Sequence, residues 1–327
     1  MQARSRRSVS LVMAATAAWL GATGLEASAQ SFPAKPVRML VPFTAGSETD
    51  YFARIIGRSL SDAWGQQVLV ENRAGAGGVV ATAVVANAIG DGYTLLMGSM
   101  AHAVVPAMHA KLPFNALRDF SGVSLVAGVP NVLVVPPSGA RSVKDLLALA
   151  RQKPGSLTYG SAGVGSGMHM TGEQFRIASD IRVVHVPYKG GPDALTDLLG
   201  SRIDFVFSPI GLAIPLVRDK RLLALAVSTA TRSPALPDVA TVAEAGVPGF
   251  EFDTWYGLLA PSGTPRDRTR QISAEVVRIL GTAEVRTEFA NRGAVPRPST
   301  PEEFDRFVRS EIEKMGSIVK AAGLKTD

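Results

Sequence analysis

Short apolar blocks recur along this chain, and most end in turns rich in glycine, serine or proline. Between them lie longer stretches that carry apolar residues at helical spacing. The first kind reads as buried strands and the second as helices packed on a sheet. Val37 to Phe43 is predicted as a strand, 50–63 as a helix with Asp50 near its start, and Gln67 to Glu71 as a second strand. Gly75-Ala76-Gly77-Gly78 leads into an Ala/Val segment ending at Ala88, helical by length although its valines lower the propensity. Tyr93 to Gly98 is a third strand. This β-α-β-α-β order predicts a parallel sheet covered by helices.

The middle of the chain repeats the style. Val123 to Val135 reads as a long strand interrupted by Gly128 and Pro130. Helices are predicted over 142–152, 166–178 and 193–199, with strands at 157–159, 183–186, 203–207 and 222–227. Residues 229–249 are loop-rich, and Thr254 to Ala260 is a strand. Pro265 suits the first turn of a helix. Two further helices are expected at about 283–290 and 301–321, the second opened by Thr300 and Glu303 at capping-box spacing. No exact repeat and no low-complexity linker separates the parts, so two α/β units in close contact are expected.

The N-terminus reads differently. Arg4, Arg6 and Arg7 precede an uncharged apolar or small stretch over 9–25, and Ala27-Ser28-Ala29 follows. This is the pattern of an export signal cleaved after Ala29. The stretch is too short for a spanning helix, and no second apolar run of that length follows, so the mature chain is expected not to span a membrane. The full chain of 327 residues carries a formal charge of +6. Losing three arginines and one glutamate with residues 1–29 lowers this to +4. That weak bias suits anionic ligands but makes no basic stripe for nucleic acid. The chain has no cysteine, which excludes thiol nucleophiles, iron–sulfur clusters and cysteine-ligated zinc. Nothing in the sequence calls for a cofactor.

Five candidate loops follow predicted strands. The first is Phe43-Thr44-Ala45-Gly46-Ser47 running into Asp50, where helix-start amides, two hydroxyls and a glycine offer a seat for a carboxylate without lysine. The plain alternative is a βα turn in which Asp50 caps its own helix. The second is Ser161-Ala162-Gly163-Val164-Gly165-Ser166, a glycine- and serine-rich turn that lacks both the P-loop lysine and the full dinucleotide fingerprint. The others are Ser99 to His102 (including Ala101), Tyr188 with Gly190 and Gly191, and Asp204 to Ser208. All five fall at strand ends, where open parallel sheets bind ligands.

Enzyme chemistry finds little support. His102, His109, His169 and His185 form no metal-binding motif, and no Gly-x-Ser-x-Gly elbow is present. A hydrolase would have to use Ser161 or Ser166 with His169 as base.

Together these residues resemble the periplasmic solute-binding proteins of tripartite tricarboxylate transporters, the Bordetella uptake gene receptors. The resemblance runs through Pro36-Val37, Val41-Pro42-Phe43, Ala45-Gly46 to Asp50, Ala53-Arg54, Val70-Glu71-Asn72-Arg73, Gly75 to Gly78 and Asp91 to Leu95. It continues through Gly160-Ser161 to His169, Val186 to Gly190, Gly257, Ala260-Pro261 and Gly263-Thr264-Pro265, and so covers essentially the whole chain after the export signal. It implies a type II periplasmic-binding-protein α/β fold in which two domains, 30–127 with 252–327 and 128–251, enclose a ligand cleft. It further implies a small organic carboxylate as ligand, the membrane subunits of a tripartite transporter as partners, and capture in place of catalysis. Ligand contacts would fall on Thr44 to Ser47 and Ser161 to Ser166, with Ser99 to His102, Tyr188 and Asp204 as further contacts. Two departures stand out: Ser47 where the family usually has glycine, and Ser208 where relatives often have Asp or Asn. The second removes a polar group expected to favour amino-bearing ligands. A receptor that hands its ligand signal to a membrane sensor kinase would use the same residues.

Overall fold

The computed structural model describes residues 32–324, so the export signal and its cleavage point lie outside the described residues. By its contacts the chain divides into Met1–Ala34 and Lys35–Asp327, and every element named here belongs to the second unit. In chain order, β1 (Val37–Val41), α1 (Glu48–Trp64), β2 (Val68–Asn72), α2 (Val79–Ala86), β3 (Thr94–Ser99) and α3 (Ala101–Met108) come first. Then come β4 (Phe120–Val135), α4 (Val143–Gln152), β5 (Thr158–Ser161), α5 (Gly167–Ala178), β6 (Val184–Pro187), α6 (Gly191–Leu199), β7 (Phe205–Pro209), α7 (Ile210–Arg218) and β8 (Leu223–Val227). The chain closes with β9 (Asp253–Pro261), α8 (Arg266–Leu280), α9 (Ala283–Asn291), β10 (Val295–Pro296) and α10 (Pro301–Ala322).

The sheet runs β2-β1-β3-β9-β4-β7-β5-β6, with β8 and β10 also paired to β4. The flanks β2-β1-β3 and β7-β5-β6 are parallel, as the alternation of strands and helices predicts. The centre corrects the expectation of a parallel sheet. There β9 runs antiparallel to both β3 and β4, and β4 runs antiparallel to β7 and β8. Strand β4 changes neighbours along its length: Phe120 to Pro130 pairs with β9, and Asn131 to Val134 pairs with β7. One long buried strand thereby serves both parallel flanks.

The helices form where sequence and packing agree. Helix α1 buries Phe52, Ala53, Ile55, Ile56 and Leu60 on one face and stops at Gly65 in the left-handed conformation. Helix α10 opens on a complete capping box between Thr300 and Glu303 and buries Phe304, Val308, Met315 and Val319. It packs on α3 and β4, while α8 packs on α1 and β4, so the C-terminal helices return to the first part of the chain. Helices α3 and α7 were not expected: the segment after Ser99 is predicted as loop but winds into α3, whose Pro106 sits inside the helix.

The seat of α10 is close-packed. Trp255 Nε1 donates to Glu311 Oε2 at 3.0 Å, and the Trp255 ring meets Phe304 edge-on. Gly257 lies directly beneath the Phe304 ring, which occupies the space a Cβ would need. Gly257→Ala is therefore expected to lower stability by about 1–3 kcal/mol through overpacking, read as a drop in the denaturation midpoint at unchanged slope.

Candidate functional site

The loop after β1 feeds α1 through a tight set of hydrogen bonds. Ser47 Oγ accepts from the Asp50 amide at 3.3 Å, and Asp50 Oδ2 accepts from the Gly46 amide at 2.9 Å. Asp50 also accepts from Arg54 and from Asn72, whose side chain reaches the Phe43 carbonyl as well. Burial pushes the Asp50 carboxyl up, but the hydrogen bonds from Arg54, Gly46 and Asn72 outweigh it and hold it below its ordinary value. The Asp50 side chain thus fastens the loop to the helix. With Asp50 N capped, the amides of Glu48 and Thr49 remain in the first turn with no intrahelical acceptor.

The loop after β5 repeats this construction on α5. Ser166 Oγ accepts from the His169 amide at 3.2 Å, and His169 Nδ1 accepts from the Gly165 amide at 3.1 Å. Both caps share nearly the same backbone, φ −67 and ψ 162 at Ser47 and φ −67 and ψ 159 at Ser166. The first-turn amides of Gly167 and Met168 are left in the same situation as those of Glu48 and Thr49.

Behind this second loop lies a stack of rings. Ser161 Oγ lies 2.6 Å from His185 Nε2 and accepts from the Gly163 amide. His185 stacks on His169 at 4.0 Å and on Tyr159 at 4.9 Å. Burial, reinforced by Arg176, pushes His169 down to about 4, and burial with neighbouring His169 pushes His185 to about 3. Both rings are neutral at pH 7. A nucleophile–base pair needs a reachable hydroxyl. Ser161 is fully buried, the Ser166 hydroxyl caps a backbone amide, and His169 Nδ1 is occupied by Gly165.

Both helix starts open onto one small cleft. Phe43, Ser47, Glu48, Thr49 and Ser99 line it from one flank of the sheet, and Ala162, Ser166, Gly167, Met168, Gly191, Pro209 and Leu212 from the other. Asn131 of β4 with Thr254 and Tyr256 of β9 complete the lining. The two rims touch. A Cβ at Gly190 would collide with Thr44 Oγ1, and one at Gly77 with the Val164 carbonyl, so glycine at these two positions permits the close approach. No lysine or arginine lines the cleft; Glu48 is the one ionisable acid that does, among the described residues.

Of the residues singled out by sequence, Phe43, Ser47, Ser99, Ala162 and Ser166 line the cleft, and Thr44, Gly46 and Gly163 sit at its touching rims. Ala45 is exposed. Others are held elsewhere. Tyr188 donates to Asp197 at 2.7 Å, Asp204 accepts from the Thr158 amide and hydroxyl, and Ser208 Oγ donates to the Pro209 carbonyl. Ala101 and His102 are the first two residues of α3; His102 Nε2 bonds the Ala116 carbonyl and its ring meets Phe120 edge-on. Sequence reasoning missed Glu48, Asn131 and Thr254. A signal was available for the last two, since each is a polar residue inside an apolar strand.

Burial holds His102 at about 4, so three histidines stay neutral in the folded protein well below the ordinary value of 6.5. Between pH 6.5 and about 4 the unfolded chain binds the extra protons, and stability falls as the pH is lowered. Glu48, raised to about 7 by burial against the pull of Arg292, acts in the opposite direction between its unfolded value of 4.5 and 7. The three histidines outweigh it. His102→Gln retains a donor for the Ala116 carbonyl and removes one titration. It should flatten the acid limb of a thermal-melt series by about 1 kcal/mol per pH unit near its middle.

Comparison with known proteins agrees with this geometry. A family model described as the tripartite tricarboxylate transporter family receptor, TctC, matches residues 52–324. BugT of Bordetella pertussis is 35% identical over 301 residues, covering 91% of this chain and 92% of BugT. The solved structure of R. palustris Rpa4515 with adipate superimposes with a TM-score of 0.87 at 35% identity, covering 90% of this chain and all of that one. MatC from Rhodopseudomonas palustris with bound malate gives a TM-score of 0.84 at 32% identity, covering 88% of this chain and all of MatC. This chain belongs to the tripartite tricarboxylate transporter receptor family and is a solute-binding protein of the TctC and Bug type.

Proposed function

We propose that this chain is a periplasmic receptor that captures a small organic carboxylate and delivers it to the membrane subunits of a tripartite tricarboxylate-type secondary transporter. One observation carries the reading: two serine-capped helix starts, those of α1 and α5, face each other across a single cleft. Each start offers two amides without intrahelical partners and the positive end of a helix dipole. A carboxylate between them accepts hydrogen bonds from Glu48 and Thr49 on one side or from Gly167 and Met168 on the other, with the Ser99 hydroxyl nearby. The solved relatives bound to adipate and malate support the ligand class.

Two lobes, 30–127 with 252–327 and 128–251, would separate to admit the ligand and close on it. The touching rims at Thr44–Gly190 and Gly77–Val164 fit the closed state. Donors left unpaired by a poor ligand would provide selectivity. The closed surface is what the transporter would recognise. Export through residues 1–29 would bring the chain to the periplasm, and no helix among the described residues is long and apolar enough to cross a membrane.

Calorimetric titration of the chain lacking residues 1–29 against a panel of small organic acids tests capture. At least one acid should bind, and Ser166→Ala should weaken it by about tenfold through the lost cap and cleft hydroxyl. Absence of heat with every acid overturns the reading. Delivery is tested by uptake of the bound acid into proteoliposomes carrying the transporter's membrane subunits, which should require the loaded receptor.

A further inference from the structure

The cleft contains two buried hydrogen-bond acceptors that no group of the protein satisfies. One is the Glu48 carboxylate, 2% exposed, both of whose oxygens lack a hydrogen-bond partner. The other is Asn131 Oδ1, fully buried. The orientation of the Asn131 amide follows from its neighbours. Thr171 Oγ1 donates to the Gly167 carbonyl at 2.7 Å, so it must accept from Asn131 Nδ2 at 2.9 Å. Nδ2 also donates to Thr254 Oγ1, which leaves Oδ1 as a bare acceptor.

The nearest cation does not complete the Glu48 site. Arg292 Nη1 stands 3.6 Å from Glu48 Oε2, beyond hydrogen-bond reach. That guanidinium donates to the Gly211 carbonyl at 3.0 Å and lies 3.9 Å over the Tyr51 ring. The other groups around Glu48 are Tyr51 of α1 and Tyr256 of β9, while α7 contributes only the non-titrating Gly211 and Leu212. Burial of a bare carboxylate is costly, and the group responds by holding its proton more tightly, up to about 7. A ligand bearing only carboxylates would bring further negative charge beside Glu48, where Arg292, outside the lining and already bonded to the Gly211 carbonyl, is the nearest cation.

We infer that Glu48 is a specificity-determining residue that selects a carboxylate also bearing a protonated amine, whose N–H groups reach Glu48 and Asn131 Oδ1 while its carboxylate meets the helix-start amides. An ammonium brings three donors and one positive charge, against three orphaned acceptor oxygens on Glu48 and Asn131, with Glu48 carrying the negative charge. This rests on the carboxylate-receptor reading and narrows it.

The test titrates the chain lacking residues 1–29 with matched probes: γ-aminobutyrate against succinate, ε-aminocaproate against adipate, and alanine against lactate. The amine of at least one pair should bind at least about tenfold more tightly than its partner, the margin of one hydrogen bond to a charged group. Its affinity should rise as the pH is raised through 7, because binding requires ionised Glu48. Glu48→Gln should weaken the amine by about tenfold and remove that pH dependence. A single cooperative melt near the parent's shows that the variant folds, since Glu48 forms no hydrogen bond that the amide would lose and meets Arg292 only at 3.6 Å. Preference for the diacid or hydroxy acid in every pair, with affinity falling as pH rises, overturns the inference and leaves carboxylate capture standing. So does an amine whose binding Glu48→Gln does not change. No heat with any probe removes the carboxylate reading and this inference together.

Discussion

The first turn of an α-helix presents amide hydrogens that its own carbonyls cannot reach. In this protein two such turns, at α1 and α5, open onto the same small space. The loops leading into them are built alike. A serine hydroxyl caps the third amide of the helix, and a side chain one turn in draws back a glycine amide of the loop: Asp50 to Gly46, and His169 to Gly165. These contacts fix the loops, and the residues that carry the remaining first-turn amides line the cleft. Each serine cap contributes about 1 kcal/mol to its helix, and both serines also line the cleft.

The sheet brings those two turns together. Helices α1 and α5 follow strands in separate parallel flanks, and neither flank would place its loops opposite the other by itself. Strand β4 joins them by changing partners at Asn131, from β9 on one side of that residue to β7 on the other. Asn131 is therefore both the hand-over point of the sheet and part of the cleft lining. Its amide is tied to Thr171 of α5 and Thr254 of β9, so the geometry of the cleft floor and the packing of the central strands are set by one side chain.

The proposed recognition by backbone donors has a consequence for selectivity. Amide hydrogens favour a carboxylate but distinguish poorly between acids of different size and charge. Discrimination then falls to the few side chains that face the cleft with unmet hydrogen-bonding capacity. Among the lining residues those are the acceptors Glu48 and Asn131, with Arg292 3.6 Å from Glu48 as the nearest cation. A cleft with positive helix ends and an acid that lacks hydrogen-bond partners has opposite electrostatic preferences at different points of its wall, a match for the charge-separated ligands proposed above.

The sequence by itself determined the strand–helix alternation, the caps and the two glycine–serine loops, because these depend on local spacing, capping chemistry and backbone freedom. It placed α1 within two residues of its start and α10 within one of its end. Tertiary structure decided the rest. The antiparallel centre was hidden because β4 and β9, buried on both faces, look the same in either direction. Helix α3 was hidden because Ala101 to Met108 carries a proline and no capping side chain. The intramolecular hydrogen-bond partners of Asp50, Tyr188 and Asp204, scattered from Gly46 to Asp197, likewise came into view only in the fold. Glu48 and Asn131 gained their importance only when distant segments closed around them, because an unpaired buried oxygen is a property of the surroundings and has no signature in the residue alone.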